Sequence, residues 1–242
     1  MTENLPDPTI LLKRTDITEP LIGFYNAPEA EAFAPLIIPE KGECVFDYFD
    51  RILAGETLHL SKEHYGCPGA GRSICGVETF STEGLVKFLV ETEGLKASKE
   101  LMEGWVEKRK PYKGKFPNVL IGPYRPELWE YLVTITFTVN PDQLSALTTG
   151  AQYNASPDDP EPTIVRFGSG CSLLVPFENF EIAQAAIGAT DMAMRSHLKA
   201  DRLLYTVTKP MFERLCKLDE KSFLFKRFRA ELRKSRGLTD LT

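Results

Sequence analysis

Apolar residues along the chain switch between a period of two and a helical period, and each switch predicts an element. After a polar, proline-marked opening over 1–19 that holds one short helix, Leu21-Ile22-Gly23-Phe24-Tyr25 is an apolar run of strand length. Cys44, Val45, Tyr48, Phe49, Ile52 and Leu53 recur at helical spacing, with Gly55 as the stop. Thr57-Leu58-His59-Leu60 then alternates as a short strand. Ser81 or Thr82 with Glu83 caps a helix through Leu85, Phe88 and Leu89, and Ser98 opens another through Leu101, Met102 and Trp105. The basic end of that second helix, Glu107-Lys108-Arg109-Lys110, suits the negative end of the helix dipole, and Pro111, Gly114 and Pro117 stop it.

Two strands follow, over 118–121 and 131–139, the second rich in β-branched and aromatic residues. Asn140-Pro141-Asp142-Gln143 ends it and starts a helix carrying Leu144 and Leu147, and 163–167 reads as the next strand. That strand–helix–strand length fits a right-handed crossover and predicts two neighbouring parallel strands. Farther on, 173–175 reads as a strand, 180–187 and 189–197 as helical, and 203–207 as the last strand. Residues 210–234 read as a basic amphipathic helix whose Leu224, Phe225, Phe228 and Leu232 form one apolar face, expected to pack on the protein's own core. The alternation predicts an α/β or α+β fold in one domain over 1–242: a mixed sheet with at least one parallel strand–helix–strand unit and helices packed on it.

Composition narrows the function classes. A chain of 242 residues, 43% hydrophobic, can bury a sizeable core. The net charge of -5 is unevenly spread, because 217–236 carry eight Lys or Arg against three Asp or Glu. The remainder is more acidic than the total, which argues against nucleic acid as a partner. No apolar run approaches membrane-spanning length, and residues 1–7 lack the pattern of a leader, so no transmembrane segment and a cytoplasmic location are expected. Five cysteines in such a chain then read as reduced thiols.

The densest reactive feature is Gly66-Cys67-Pro68-Gly69-Ala70-Gly71-Arg72-Ser73-Ile74-Cys75-Gly76, and a second glycine-flanked cysteine stands at Gly168-Ser169-Gly170-Cys171-Ser172. In open α/β sheets ligands collect outside the carboxyl ends of strands, so both loops, with Asn140, face one crevice if their strands share an orientation. One reading is a small-molecule site in which these loops offer backbone N–H groups to an anionic ligand, using Cys67, Gly69, Gly71, Arg72, Asn140, Ser169, Gly170 and Cys171. His64, three residues before Cys67, is a candidate partner for a reactive thiol, and catalysis stays open. Neither loop matches a dinucleotide or P-loop motif. A second reading is a thiolate site for zinc or an iron–sulfur cluster using Cys44, Cys67, Cys75 and Cys171, which the fold must assemble because seven residues separate Cys67 from Cys75. A third is structural or interaction-only: buried cysteines with close-packed glycines, Cys216 beside Phe212 and Leu215, His59 and His197 packed or at the surface, and an Asp191–Arg195 helix pair. Self-association into a homo-oligomer is left open.

Taken in order, the run from Pro20 to Tyr25, Cys44 opening a helix, Cys67-Pro68-Gly69-Ala70, Gly122-Pro123 after a strand, Phe137 before Asn140-Pro141 and Gln143, and Ser169-Gly170-Cys171 resemble the uncharacterised ArCR family, also called the domain of unknown function 169 family. The resemblance runs over most of the chain. It implies an intracellular archaeal or bacterial protein with Cys44, Cys67 and Cys171 on the family's pattern, and it brings no established activity. Cys75 falls outside that pattern.

Overall fold

A computed structural model describes residues 5–239. Residues 1–4, part of the stretch on which the leaderless reading rests, lie outside them. Among the described residues eight strands make one mixed sheet: β1 Ile22–Ala27, β2 Leu36–Ile37, β3 Thr57–Leu60, β4 Asn118–Pro123, β5 Leu132–Val139, β6 Thr163–Val165, β7 Ala185–Gly188 and β8 Leu203–Thr208. Their spatial order is β2-β3-β4-β1-β5-β8-β7-β6. The apolar run that opens the pattern becomes β1, buried along its whole length because it pairs antiparallel with both β4 and β5. Parallel pairs stand at the two edges, β2 with β3 and β6 with β7.

Strand alternation sorts the core into two layers. Tyr25, Ile135, Phe137, Tyr205 and Val207 face one side, under α1 Thr9–Thr15, α6 Pro141–Tyr153 and α7 Lys209–Cys216. Phe24, Leu58, Leu60, Ile121 and Leu204 face the other, under α2 Phe49–Leu53, α3 Pro68–Ile74 and a 3₁₀ turn at Gly170–Leu174. Beside this second face, α4 Thr82–Lys87, one π turn at Phe88–Thr92 and α5 Lys99–Lys108 form an arm with its own small core of Val86, Met102 and Val106. Ser81 and Ser98 cap α4 and α5 as the sequence predicts. No helix among the described residues is long and apolar enough to cross a membrane.

The mixed α/β sheet matches expectation, but different elements supply its parallel unit. β5 and β6 run the same way yet are not neighbours, since β8 and β7 lie between them. The adjacent parallel strand–helix–strand unit is β2, α2 and β3. Residues 173–175 belong to the 3₁₀ turn rather than a strand, and the stretch expected as a helix over 180–187 ends in β7. Its Ala185-Ala186-Ile187-Gly188 has helix-forming alanines, but pairing with strands on both sides decides the outcome. The small side chains let the 3₁₀ turn lie close, with Leu173 against Gly188.

The long C-terminal helix is also divided. Asp219 makes a turn in which its carboxylate accepts the Lys221 N–H at 3.0 Å and its carbonyl accepts the Ser222 hydroxyl at 2.7 Å. α7 therefore stops at Cys216, and α8 begins afresh at Arg227–Ser235.

Candidate functional site

Cys67 owes its position to a glycine. Gly66 sits in the left-handed region at φ +66°, where an added Cβ would stand 2.6 Å from the Glu43 carbonyl. Its own carbonyl accepts the Gly42 N–H at 3.0 Å. The loops before Cys44 and Cys67 thus run in backbone contact, which brings the two thiols close enough to influence each other's ionisation. The run from Pro68 through Ile74, read as a loop, is helix α3, with Cys67 at its N-cap accepting the Ala70 N–H at 3.4 Å. The first-turn N–H groups expected to cradle an anionic ligand instead face the Cys67 sulfur. The Cys44 thiol and, against burial, the Ala70 and Gly69 N–H groups hold the Cys67 thiol below its ordinary range. The neighbouring Cys67 and burial push the Cys44 thiol well above its own.

The Cys171 loop arrives from the other half of the sheet. Gly170 is packed so closely that an added Cβ would meet Phe46 at 2.7 Å and Met194 at 2.8 Å. Its N–H is taken by Asp191 Oδ2 at 2.9 Å. Asp191 also accepts the Ala193 N–H at 3.0 Å, while Arg195 donates to the carbonyls of Lys199, Ala200 and Arg202. The expected Asp191–Arg195 pair is therefore replaced by a clasp that closes the Cys171 loop. Cys171 itself is buried, and burial pushes its thiol up to about 12, only partly countered by the Ser169 hydroxyl at 3.5 Å. Cys75, at the end of α3, is raised to about 12 by burial and by the nearby Cys171 and Cys67.

A cleft of about 1710 Å³ opens between these loops and the α4–α5 arm, with Cys67, Gly69, Arg72 and Ser169 on its wall. Gly71, Gly170 and Cys171 are buried beneath it. Asn140 is elsewhere: β5 runs opposite to β3, so its carboxyl end lies at the far end of the sheet. There the Asn140 side chain caps α6 through a capping box with Gln143. His64 packs edge-on to His59 and hydrogen bonds Ser61 at 3.3 Å; among the described residues it forms no hydrogen bond with Cys67. His59 bonds Asn118 at 2.8 Å, His197 pairs with Asp47 at 3.3 Å, and Cys216 packs on the opposite core. Among the described residues no group of three or more His, Cys, Asp or Glu side chains converges as metal ligands would.

The other cleft wall consists of residues the sequence reading passed over. The Trp105 ring meets Phe167 edge-on at 5.0 Å, and Lys96 lies 4.7 Å over the Phe167 ring. Arg109, four residues after Trp105, covers the indole at 5.6 Å and donates to the Phe167 carbonyl at 3.1 Å. The helix-dipole reading of the 107–110 run hid this role; the i, i+4 spacing of Trp105 and Arg109 was the available signal. Burial and the nearby Arg166 hold the Arg109 guanidinium below its usual range.

The model of the uncharacterised ArCR family, domain of unknown function 169, matches residues 19–217. The chain belongs to that family. Comparisons with curated proteins and with solved structures return no match. The ArCR match spans every strand, both cysteine loops and the arm, and ends just after α7. The family's description carries no activity, so the site's chemistry has to be argued from its side chains.

Proposed function

We propose that this ArCR protein binds a small organic molecule with an aromatic or apolar body and an acidic group, held between the Cys67 and Cys171 loops and the α4–α5 arm. The observation that carries this reading is Arg109. Its guanidinium is half-buried beside Arg166, and Glu178, 3.8 Å from Arg166, is a carboxylate whose charge reaches both. Two neighbouring cations sharing one exposed carboxylate are left with positive charge that favours an anion, and a guanidinium fork suits a carboxylate or a phosphate. Trp105, Tyr112, Phe177 and Phe180 supply apolar wall for the rest of the molecule. Cys67 then stands at the edge of the bound ligand.

The test uses anilinonaphthalene sulfonate, an aromatic anion, as probe. With Trp129→Phe as background, Trp105 is the one indole left, and its emission is expected to fall as energy passes to the bound dye. Arg109→Gln is expected to weaken binding about tenfold or more, the effect of losing a hydrogen bond to a charged group. Dye affinity unchanged by Arg109→Gln, or no transfer from Trp105, would sink the reading.

A further inference from the structure

The Cys44–Cys67 pair has chemistry of its own, and it needs no ligand in the cleft. Gly42 N–H to Gly66 carbonyl, at 3.0 Å, and Gly66 against the Glu43 carbonyl tie the two loops together immediately before each cysteine. Each cysteine opens a helical turn, Cys44 at Val45–Tyr48 and Cys67 at Pro68–Ile74, so both side chains are anchored by the backbone behind them. Neither is in a disulfide, and both are partly exposed, whereas Cys171 is buried. Cys67 lines the cleft, and Cys44 is its neighbour across the paired loops.

We propose that Cys44 and Cys67 form a redox-active dithiol, which a hydroperoxide entering the cleft oxidises to an intramolecular disulfide. The Cys67 sulfur, as thiolate, attacks one peroxide oxygen; the O–O bond breaks, and the departing hydroxide or alkoxide takes up the proton that Cys67 released. Cys67 has then lost two electrons and is a sulfenic acid. The Cys44 sulfur attacks the Cys67 sulfur, the S–S bond forms, the S–O bond breaks, and the oxygen leaves as water with the Cys44 proton. For hydrogen peroxide the balance is two thiols and one peroxide to one disulfide and two waters. A dithiol reductant restores both thiols by exchange. The division of labour follows the site: Cys67 stands on the cleft wall and accepts the Ala70 N–H at 3.4 Å, so it meets the peroxide first, and Cys44 lies behind it.

The sequence makes the product easy to read. Tryptic peptides 42–51 and 63–72 each carry one cysteine, and Cys75 lies in a separate peptide. The full chain is treated with one equivalent of hydrogen peroxide, its free thiols are blocked with N-ethylmaleimide, and it is digested without reductant for mass spectrometry. The expected product is the 42–51 and 63–72 pair, linked with loss of two hydrogens and separated again by dithiothreitol. In Cys44→Ser the cross-link is lost and Cys67 is captured as a dimedone adduct of its sulfenic acid. The proposal is overturned if Cys44 and Cys67 both carry maleimide after peroxide, if Cys67 is linked to Cys75 or Cys171 instead, or if Cys44→Ser gives no sulfenic adduct at Cys67.

Discussion

At the scale of single residues, the site turns on two neighbouring thiols. Cys67 is held below an ordinary thiol by Cys44 and by the first-turn N–H groups of α3, so its alkylation by iodoacetamide at neutral pH is expected to outpace that of the other cysteines and to slow as the pH falls. Cys75, Cys171 and Cys216, each raised to about 12 chiefly by burial, stay slow across that range. Because the neighbouring Cys44 thiol is the largest cause, Cys44→Ala moves the Cys67 midpoint upward, towards an ordinary thiol; an unmoved midpoint in the pH–rate profile would refute that assignment. Gly66 sets the geometry. Gly66→Ala forces a left-handed alanine against the Glu43 carbonyl and is expected to cost about 2 kcal/mol in urea unfolding. The sequence showed the glycine–cysteine loop but not this approach, because the contact joins residues more than twenty apart in sequence.

At the scale of elements, caps were legible and amphipathic faces were not always so. Ser81, Ser98 and the Asn140–Gln143 box act within a few residues, and each starts a helix where the sequence places it. The C-terminal segment keeps part of its expected face: Leu224 is buried and Phe225 and Leu232 are partly buried. Phe228 departs from it at 81% exposed, while Arg229 and Arg233 are buried on α8. Asp16, a left-handed residue ending α1, accounts for the two arginines: Arg229 donates to its carboxylate at 2.5 Å, Arg233 pairs with it too, and Gln143 donates to its carbonyl at 2.6 Å. A carboxylate two hundred residues away cannot be read from a helical wheel. Asp16→Ala leaves two arginines buried without their counter-charge and is expected to lower stability by about 2–3 kcal/mol. Phe228→Ser is expected to change it by less than about 0.5 kcal/mol. Urea melts of the two variants side by side check both, and the reverse ranking would restore the apolar-face reading.

At the scale of the molecule, the two cysteine loops meet by a route other than the expected one. Strand ends do not join them, since β3 points one way and β5 and β6 the other. They meet because the chain after β6 crosses the sheet face as the Gly170–Leu174 turn and packs on α3, pinned where Thr134 donates to the Leu174 carbonyl at 2.6 Å. Such a crossing depends on long-range pairing, which local periodicity does not encode. The cleft needs one further constraint, because the arm that walls it has only three fully buried residues in its own core. Phe167 supplies that constraint by meeting Trp105 and lying under Lys96. An aromatic pair and a cation–π contact together contribute about 2 kcal/mol, so Phe167→Ala should favour opening of the arm roughly 30-fold. Hydrogen exchange over 82–108 is expected to quicken by that factor while β1, β4 and β5 keep their protection, because their core does not include Phe167. Equal loss of protection in the sheet would mean that Phe167 stabilises the whole fold, and unchanged exchange in the arm would mean that the arm holds its place by other contacts.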